Sequence, residues 1–217
     1  MINLILSDTE RSLNYIQMIF KNNINVNKII FYSNKKKGLI YNFIKQKKIN
    51  NLLIYCKTKN INSSIINKKL KLYKSKLNII STYPGEIVEN PKLLKKKLLH
   101  SHPGDLPIFK GSTTIYYTIL LKQKICVTLF FMNKEIDAGK IVYKKYFNYP
   151  KNLNEIEKNF DNKIRALTLI EYLKSTKNYK FKKTRRNFLP YYIAHPIIRQ
   201  IVINKKLIIK KPPEISF

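Results

Sequence analysis

Leu98-Leu99-His100-Ser101-His102-Pro103-Gly104-Asp105-Leu106-Pro107-Ile108-Phe109-Lys110-Gly111 begins as a short apolar strand, Leu98 to His100. It then runs into a loop rich in Pro and Gly that carries a second imidazole at His102. Ligands of open α/β sheets bind outside the carboxyl ends of the strands, so a strand-to-loop passage of this kind is where a site belongs. The wider neighbourhood agrees. The chain has five Gly, and four of them (Gly85, Gly104, Gly111, Gly139) fall between positions 84 and 139, with two of the three His and four of the nine Pro. Backbone positions that need positive φ or close approach keep Gly, so the unusual backbone chemistry is concentrated in the middle of the chain.

Upstream, short apolar runs alternate with helical spacing. Ile2 to Leu6, Lys28 to Tyr32, Leu52 to Tyr55 and Leu77 to Ile80 read as strands; Glu10 to Phe20, a stretch beginning at Leu39 to Ile44, and Ile61 to Leu72 read as helices. Pro91 to Lys97 fits a short basic helix. Strands of four to six residues alternating with helices are the signature of βαβ units and a parallel sheet. Downstream, Ser112 to Leu121 is expected as a helix with Ser112 as its N-cap. Ile125 to Met132 is the longest strand, and Lys140 to Phe147 alternates and pairs beside it. Asn154 to Leu173 reads as a long amphipathic helix with Ile156, Phe160, Ile164, Leu167 and Ile170 near one face. Tyr179 to Asn187 reads as a linker and Ile201 to Ile209 as a hairpin turning at Asn204-Lys205. Tyr191 to Ile209 is apolar, and is expected to complete the core of its own chain. The organisation expected is a domain over residues 1–150 and a helix-and-hairpin extension over 151–217.

The 217 residues carry 43 Lys+Arg against 12 Asp+Glu, a formal net charge of +31. Such a charge invites a polyanionic partner. Only five of the bases are Arg, however, while the chain has 24 Asn, three Ala and no Trp. Residues with A/T-rich codons are inflated throughout, and Lys is scattered instead of gathered in a stripe, so the charge is mainly compositional drift. It still steers any phosphorylated substrate. No apolar run reaches about 18 residues, which argues against a membrane span; Met1 to Asp8 lacks a basic n-region. Cys56 and Cys126 sit in apolar segments and read as buried thiols of a reducing, cytoplasmic compartment.

The second chemical piece is Ile136-Asp137-Ala138-Gly139, just after the long strand, where it brings a carboxylate to the same edge of the sheet. A His with a carboxylate partner is a general acid/base unit. Singly, each residue has a plainer reading: His102 as a hydrogen-bonded loop residue, Asp137 as a turn former. His100 and His102 at i, i+2 lack a third ligand for a metal. His195, before Pro196, is expected to be packed or to cap a helix.

In combination, His-x-Pro-Gly-x-Leu-Pro-x-Phe-Lys-Gly, a helix, a strand and then Ile-Asp-Ala-Gly resembles the folate-dependent formyltransferase family. Its members carry Asn-x-His, a Leu-Pro-x-x-Arg/Lys-Gly loop and a later Asp-x-Gly. The family's His falls on His102, the loop on Leu106, Pro107, Lys110 and Gly111, and the Asp on Asp137. The resemblance covers roughly Ile2 to Ile141 in strand order and is strongest from Tyr83 to Gly139. Pro103 to Pro107 and Gly111 to Tyr117 look most like the short members that act on sugar nucleotides.

The resemblance implies an α/β, Rossmann-like core with a mostly parallel sheet and a short C-terminal appendage. It implies direct transfer of a formyl group from 10-formyltetrahydrofolate to an amine, without a metal and without a covalent enzyme intermediate. His102, Asp137 and His100 are the implied catalytic residues. The folate would lie near Tyr83, Pro84, Gly85, Glu86, Ile87 and Val88, with Leu106 and Ile136. The acceptor, a phosphorylated or nucleotide-linked amine, would lie against Ser101, Lys110, Gly111, Thr113 and Tyr116, with Lys110 meeting a phosphate. One departure stands out: His100 occupies the position of the family's Asn, which helps hold the formyl oxygen, and an imidazole N–H is able to donate there. Glycinamide ribonucleotide and methionyl-tRNA are the rival acceptors, and a non-catalytic anion- or nucleic-acid-binding relative is the alternative of another class.

Overall fold

The computed structural model describes residues 1–35, 38–57, 74–175 and 188–204. Ile2–Ser7 (β1) is buried along its whole length, as expected of a strand covered on both faces. Glu10–Lys21 (α1) follows; the Thr9 hydroxyl accepts from the Ser12 N–H at 3.2 Å and caps it, a contact worth about 1 kcal/mol. Val26–Ser33 (β2), Leu39–Gln46 (α2), Leu53–Lys57 (β3) and Leu77–Ser81 (β4) continue the alternation. The Asn90-capped turn of helix Pro91–Leu94 (α3) leads into Leu98–His102 (β5). Thr114–Leu120 (α4), Ile125–Phe131 (β6), Lys140–Phe147 (β7), Asp161–Lys174 (α5) and Pro196–Ile203 (α6) complete the chain.

The strands form one seven-stranded sheet in the order β3-β2-β1-β4-β5-β6-β7. β1 to β5 are parallel, β6 is antiparallel to β5, and β7 is antiparallel to β6. On one face Leu4, Leu6, Ile79 and Leu99 pack with α1, α2 and α5, so Leu169 and Ile170 share a core with the first strand. On the other face Ile5, Ile80 and Leu98 pack with Val88 and Leu93. A further cluster joins α4, β6 and α6 through Ile115, Val127 and Val202.

Several local expectations are corrected. β5 runs to His102, two residues past His100. Ser112 is not an N-cap: its N–H donates to the Tyr191 carbonyl at 3.0 Å, and the helix starts two residues later, after Thr113 in a left-handed conformation (φ 51°). The amphipathic helix over Asn154 to Leu173 is broken into a 3-10 turn at Leu153–Glu155, a wide π turn at Ile156–Phe160 and α5, because Ile156 packs in the α4–α6 cluster while Leu169 packs under β1. Ile201 to Ile203 end α6, with Asn204 as its C-cap, and do not open a hairpin; residues 205–209, Ile61 to Leu72 and Tyr179 to Asn187 lie outside the described residues. His195 caps α6, its Nδ1 accepting from the Ile197 N–H at 3.2 Å. Cys126 is buried and Cys56 half-buried, and both are free thiols.

Candidate active site

β4 and β5 pair only at Asn78 with Leu98 and Ile79 with Leu99. Past that point the strands part, and a side chain takes up the next carbonyl: His100 Nδ1 lies 3.3 Å from the Ile80 oxygen. A carbonyl only accepts, so Nδ1 carries the hydrogen. The ring stands edge-on to Phe130 at 5.8 Å. Burial, with the Arg11 and Arg165 cations nearby, pushes its pKa well below the ordinary value, so the ring is neutral at pH 7. Its one hydrogen is spent on Ile80. The expectation that His100 donates toward a formyl oxygen therefore does not fit this tautomer: Nε2 is left as a bare acceptor.

His102, two residues on, projects from the same face of β5 and is 3% exposed. Its Nε2 donates to the Phe109 carbonyl at 2.7 Å, and its Nδ1 lies 3.3 Å from Asp137 Oδ2. The ring thus meets an acceptor at each nitrogen, and the contact with Asp137 is attractive only with a proton between them. Burial lowers the His102 pKa, while Asp137 and the Phe109 carbonyl oppose that shift. The same carboxylate oxygen accepts the Gly111 N–H at 2.8 Å.

Asp137 does not arrive by the route the sequence suggested. β6 is antiparallel to β5, so its carboxyl end lies beside Leu98, whose carbonyl accepts the Met132 N–H at 2.9 Å. The carboxylate comes back from the β6–β7 hairpin, with Asp137 itself in the left-handed region at φ 48°, which Asp tolerates.

The loop between His102 and α4 is held from below. Thr128, directly opposite His102 in the ladder, donates from Oγ1 to the Gly104 carbonyl at 2.6 Å and accepts the Leu106 N–H at 3.2 Å. Lys144 Nζ bonds Asp105 Oδ1 at 2.5 Å and the Leu106 carbonyl at 2.6 Å. A Cβ on Gly104 would stand 2.3 Å from the Phe109 oxygen and 2.6 Å from His102 Nε2, so only Gly allows that hydrogen bond. Gly111, at φ +94°, bridges to Tyr191, whose backbone oxygen would be 2.2 Å from an added Cβ. Tyr191 in turn stacks on Phe109 at 5.6 Å.

The remaining candidates divide. Tyr83 to Val88 follow β4 at the parted edge. Pro84 and Gly85 are exposed and Ile87 is 48% exposed, as is Ile136 across the site. Tyr83 reaches the carboxyl end of β1, where its hydroxyl accepts the Asp8 N–H at 3.4 Å. Glu86 Oε2 accepts from Tyr32 Oη at 2.7 Å and from the Tyr83 N–H at 3.0 Å, while Oε1 is buried with no partner among the described residues. Leu106 and Lys110 are buried in the loop. Ser101 and Tyr116 are not brought to the site. Ser101 lies on the opposite face of β5, its hydroxyl at 3.5 Å from the Arg165 carbonyl. Tyr116 packs in the α4–α6 cluster against the Arg199 guanidinium. Thr113 Oγ1 is engaged by the Ala194 N–H at 2.7 Å. Thr128 and Phe109 were not singled out from the sequence; Thr128 was visible as the one hydroxyl in the run Ile125 to Phe131, whereas Phe109 acts through its backbone.

No curated protein matches the chain. Solved structures do. Glycinamide ribonucleotide transformylase 1 from Symbiobacterium toebii superposes with a TM-score of 0.59 at 15% identity, over 79% of this chain and 84% of that one. An N-formyltransferase from Helicobacter canadensis, solved with folinic acid and dTDP-3-aminofucose, gives 0.58 at 18% identity, over 88% and 70%. Methionyl-tRNA formyltransferase from Clostridium thermocellum gives 0.56 at 15% identity, over 91% and 74%. At these identities the likeness is one of fold. The model of the formyl transferase family matches residues 1–168, a span holding every strand of the sheet and both members of the His102–Asp137 pair, and the chain belongs to that family.

Proposed function

We propose that this chain is an N-formyltransferase that moves a formyl group from 10-formyltetrahydrofolate to the amine of a nucleotide-linked amino sugar. The observation that carries the reading is the buried His102–Asp137 pair, 3.3 Å apart under a loop tied to the sheet. The Helicobacter canadensis relative, solved with a folate and a dTDP-linked amino sugar, supports the donor and acceptor classes. The residues present fit a folate. Its pterin has N–H donors along one edge, and Tyr83 to Val88 offer Glu86 Oε1, buried with no partner among the described residues, beside the exposed Ile87. A net charge of +31 favours an acceptor that carries phosphates.

Formyl transfer requires that a proton reach the folate nitrogen as its bond to the formyl carbon breaks. His102 supplies it, and Asp137 holds the charge and orientation of the ring. N–H donors aimed at the oxyanion that forms on the way contribute about 3 kcal/mol each. The first test is thermal stabilisation by 5-formyltetrahydrofolate, a stable stand-in for the donor. A saturable rise in Tm is expected by mass action, and its absence at high ligand would sink the reading. His102→Ala and Asp137→Asn should each abolish transfer to dTDP-3-aminofucose while keeping that rise. Turnover by either variant refutes the role of the pair in proton transfer. Transfer to glycinamide ribonucleotide or methionyl-tRNA, but not to the sugar, would replace the acceptor.

A further inference from the structure

His102 has both ring nitrogens engaged, one by Phe109 and one by Asp137. His100 has one, and no partner is found for its Nε2 among the described residues. The two rings project from the same face of β5, two residues apart, so their Cα atoms are about 6.6 Å apart. A tetrahedral carbon between them would have a bare acceptor on one side and the His102–Asp137 pair on the other. We propose that His100, through its bare Nε2, is the base that takes the proton from the acceptor amine as the new C–N bond forms.

This rests on the formyltransferase reading and assigns a second imidazole to it. The amine lone pair forms the bond to the formyl carbon, and the carbonyl π electrons move to oxygen. The nitrogen, now cationic, gives its proton to His100 Nε2. As the carbonyl re-forms and the bond to the folate nitrogen breaks, that nitrogen receives a proton from the His102–Asp137 pair. His100 then returns its proton to solvent and the pair regains one. The net movement is one proton from amine to folate. The cations and titratable groups around the ring are Arg11 of α1, Arg165 of α5 and His102 of its own strand; burial first, and then these groups, lower its pKa, so Nε2 is unprotonated at neutral pH and gives up readily a proton it has taken. A carboxamide at this position offers no such acceptor of comparable basicity, so the imidazole is not equivalent to the family's Asn.

The test uses the full-length protein with 15N-labelled histidine, loaded with 5-formyltetrahydrofolate at pH 7. Only three His are present, and His100→Asn assigns the pair of signals that disappears. Hydrogen on Nδ1 with a bare Nε2 is expected. Hydrogen on Nε2, or an imidazolium, overturns the proposal whatever the acceptor. With 10-formyltetrahydrofolate and dTDP-3-aminofucose, His100→Asn should lower kcat about a hundredfold or more while keeping the Tm rise with 5-formyltetrahydrofolate. A kcat within threefold of the wild type also overturns it. Failure of the wild-type chain to bind 5-formyltetrahydrofolate at all refutes the formyltransferase reading itself and takes this assignment with it.

Discussion

Thr128→Val isolates what holds the loop over the site. Thr128 is fully buried, and valine has nearly its shape, so the change opens no cavity. It removes the hydroxyl that donates to the Gly104 carbonyl at 2.6 Å and accepts the Leu106 N–H at 3.2 Å. Gly104 and Leu106 are both buried, so water does not replace the lost partner. An orphaned buried backbone group costs about 1–3 kcal/mol, and two make roughly 2–6 kcal/mol. For a chain of this size that lowers Tm by roughly 4–24 °C. Thr128→Ser is the control. It keeps the oxygen and loses one methyl group, about 1 kcal/mol. Urea midpoints and thermal scans of the three proteins decide the matter, provided the denaturant slope is unchanged. If Thr128→Val stays within about 0.5 kcal/mol of the wild type, or if the Ser variant is the less stable of the two, the loop is not held as described.

Two further outcomes follow from the same structure. Gly111→Ala places a Cβ against the backbone of Tyr191 at φ +94°, whereas Gly85→Ala at φ +77° meets open space. Gly85→Ala should cost about 1 kcal/mol and Gly111→Ala clearly more, and equal midpoint shifts would argue against the Gly111–Tyr191 contact. Burial raises the Glu86 pKa above its ordinary 4.5, against the hydrogen bonds from Tyr32 and Tyr83. The native state therefore holds this proton more tightly than the unfolded chain. The associated stability is present below pH 4.5 and is lost as pH rises through the raised value. Glu86→Gln should then gain stability relative to the wild type between pH 4.5 and pH 8, read as the difference in urea midpoints. A difference that moves the other way refutes the assignment.

The parallel half of the sheet is legible because β1 is buried along its whole length and β2 and β4 over most of theirs, so each shows a short, mostly apolar run, interrupted only by Asn3 in β1 and Asn78 in β4. β5 was cut short at His100 because its last residues are polar. Carried through to His102, its alternation would have sent Ser101 to the far face and kept the two imidazoles together. The reversal at β6 left no mark in composition, and so the His102–Asp137 contact was anticipated through the wrong geometry. The Phe109 and Ile80 carbonyls, which fix the hydrogens of both imidazoles, are backbone atoms, and no side-chain pattern records them. The stretch from Leu153 to Lys174 is helical throughout, but the wide turn at Ile156–Phe160 shifts the phase of its apolar stripe, so its two ends serve different clusters.

The bridge between Gly111 and Tyr191 joins residues 80 positions apart. Contacts that distant in sequence close late in folding, after the local units have formed. The family match ends at residue 168, yet Tyr191 and Ala194 back the loop that carries Phe109 and Gly111. During synthesis, then, the sheet and the His102 strand emerge well before the segment that closes over them. The Phe109 ring gains the Tyr191 ring that stacks on it only after that stretch has left the ribosome, so the sheet and the backing of the site come from parts of the chain made at different times.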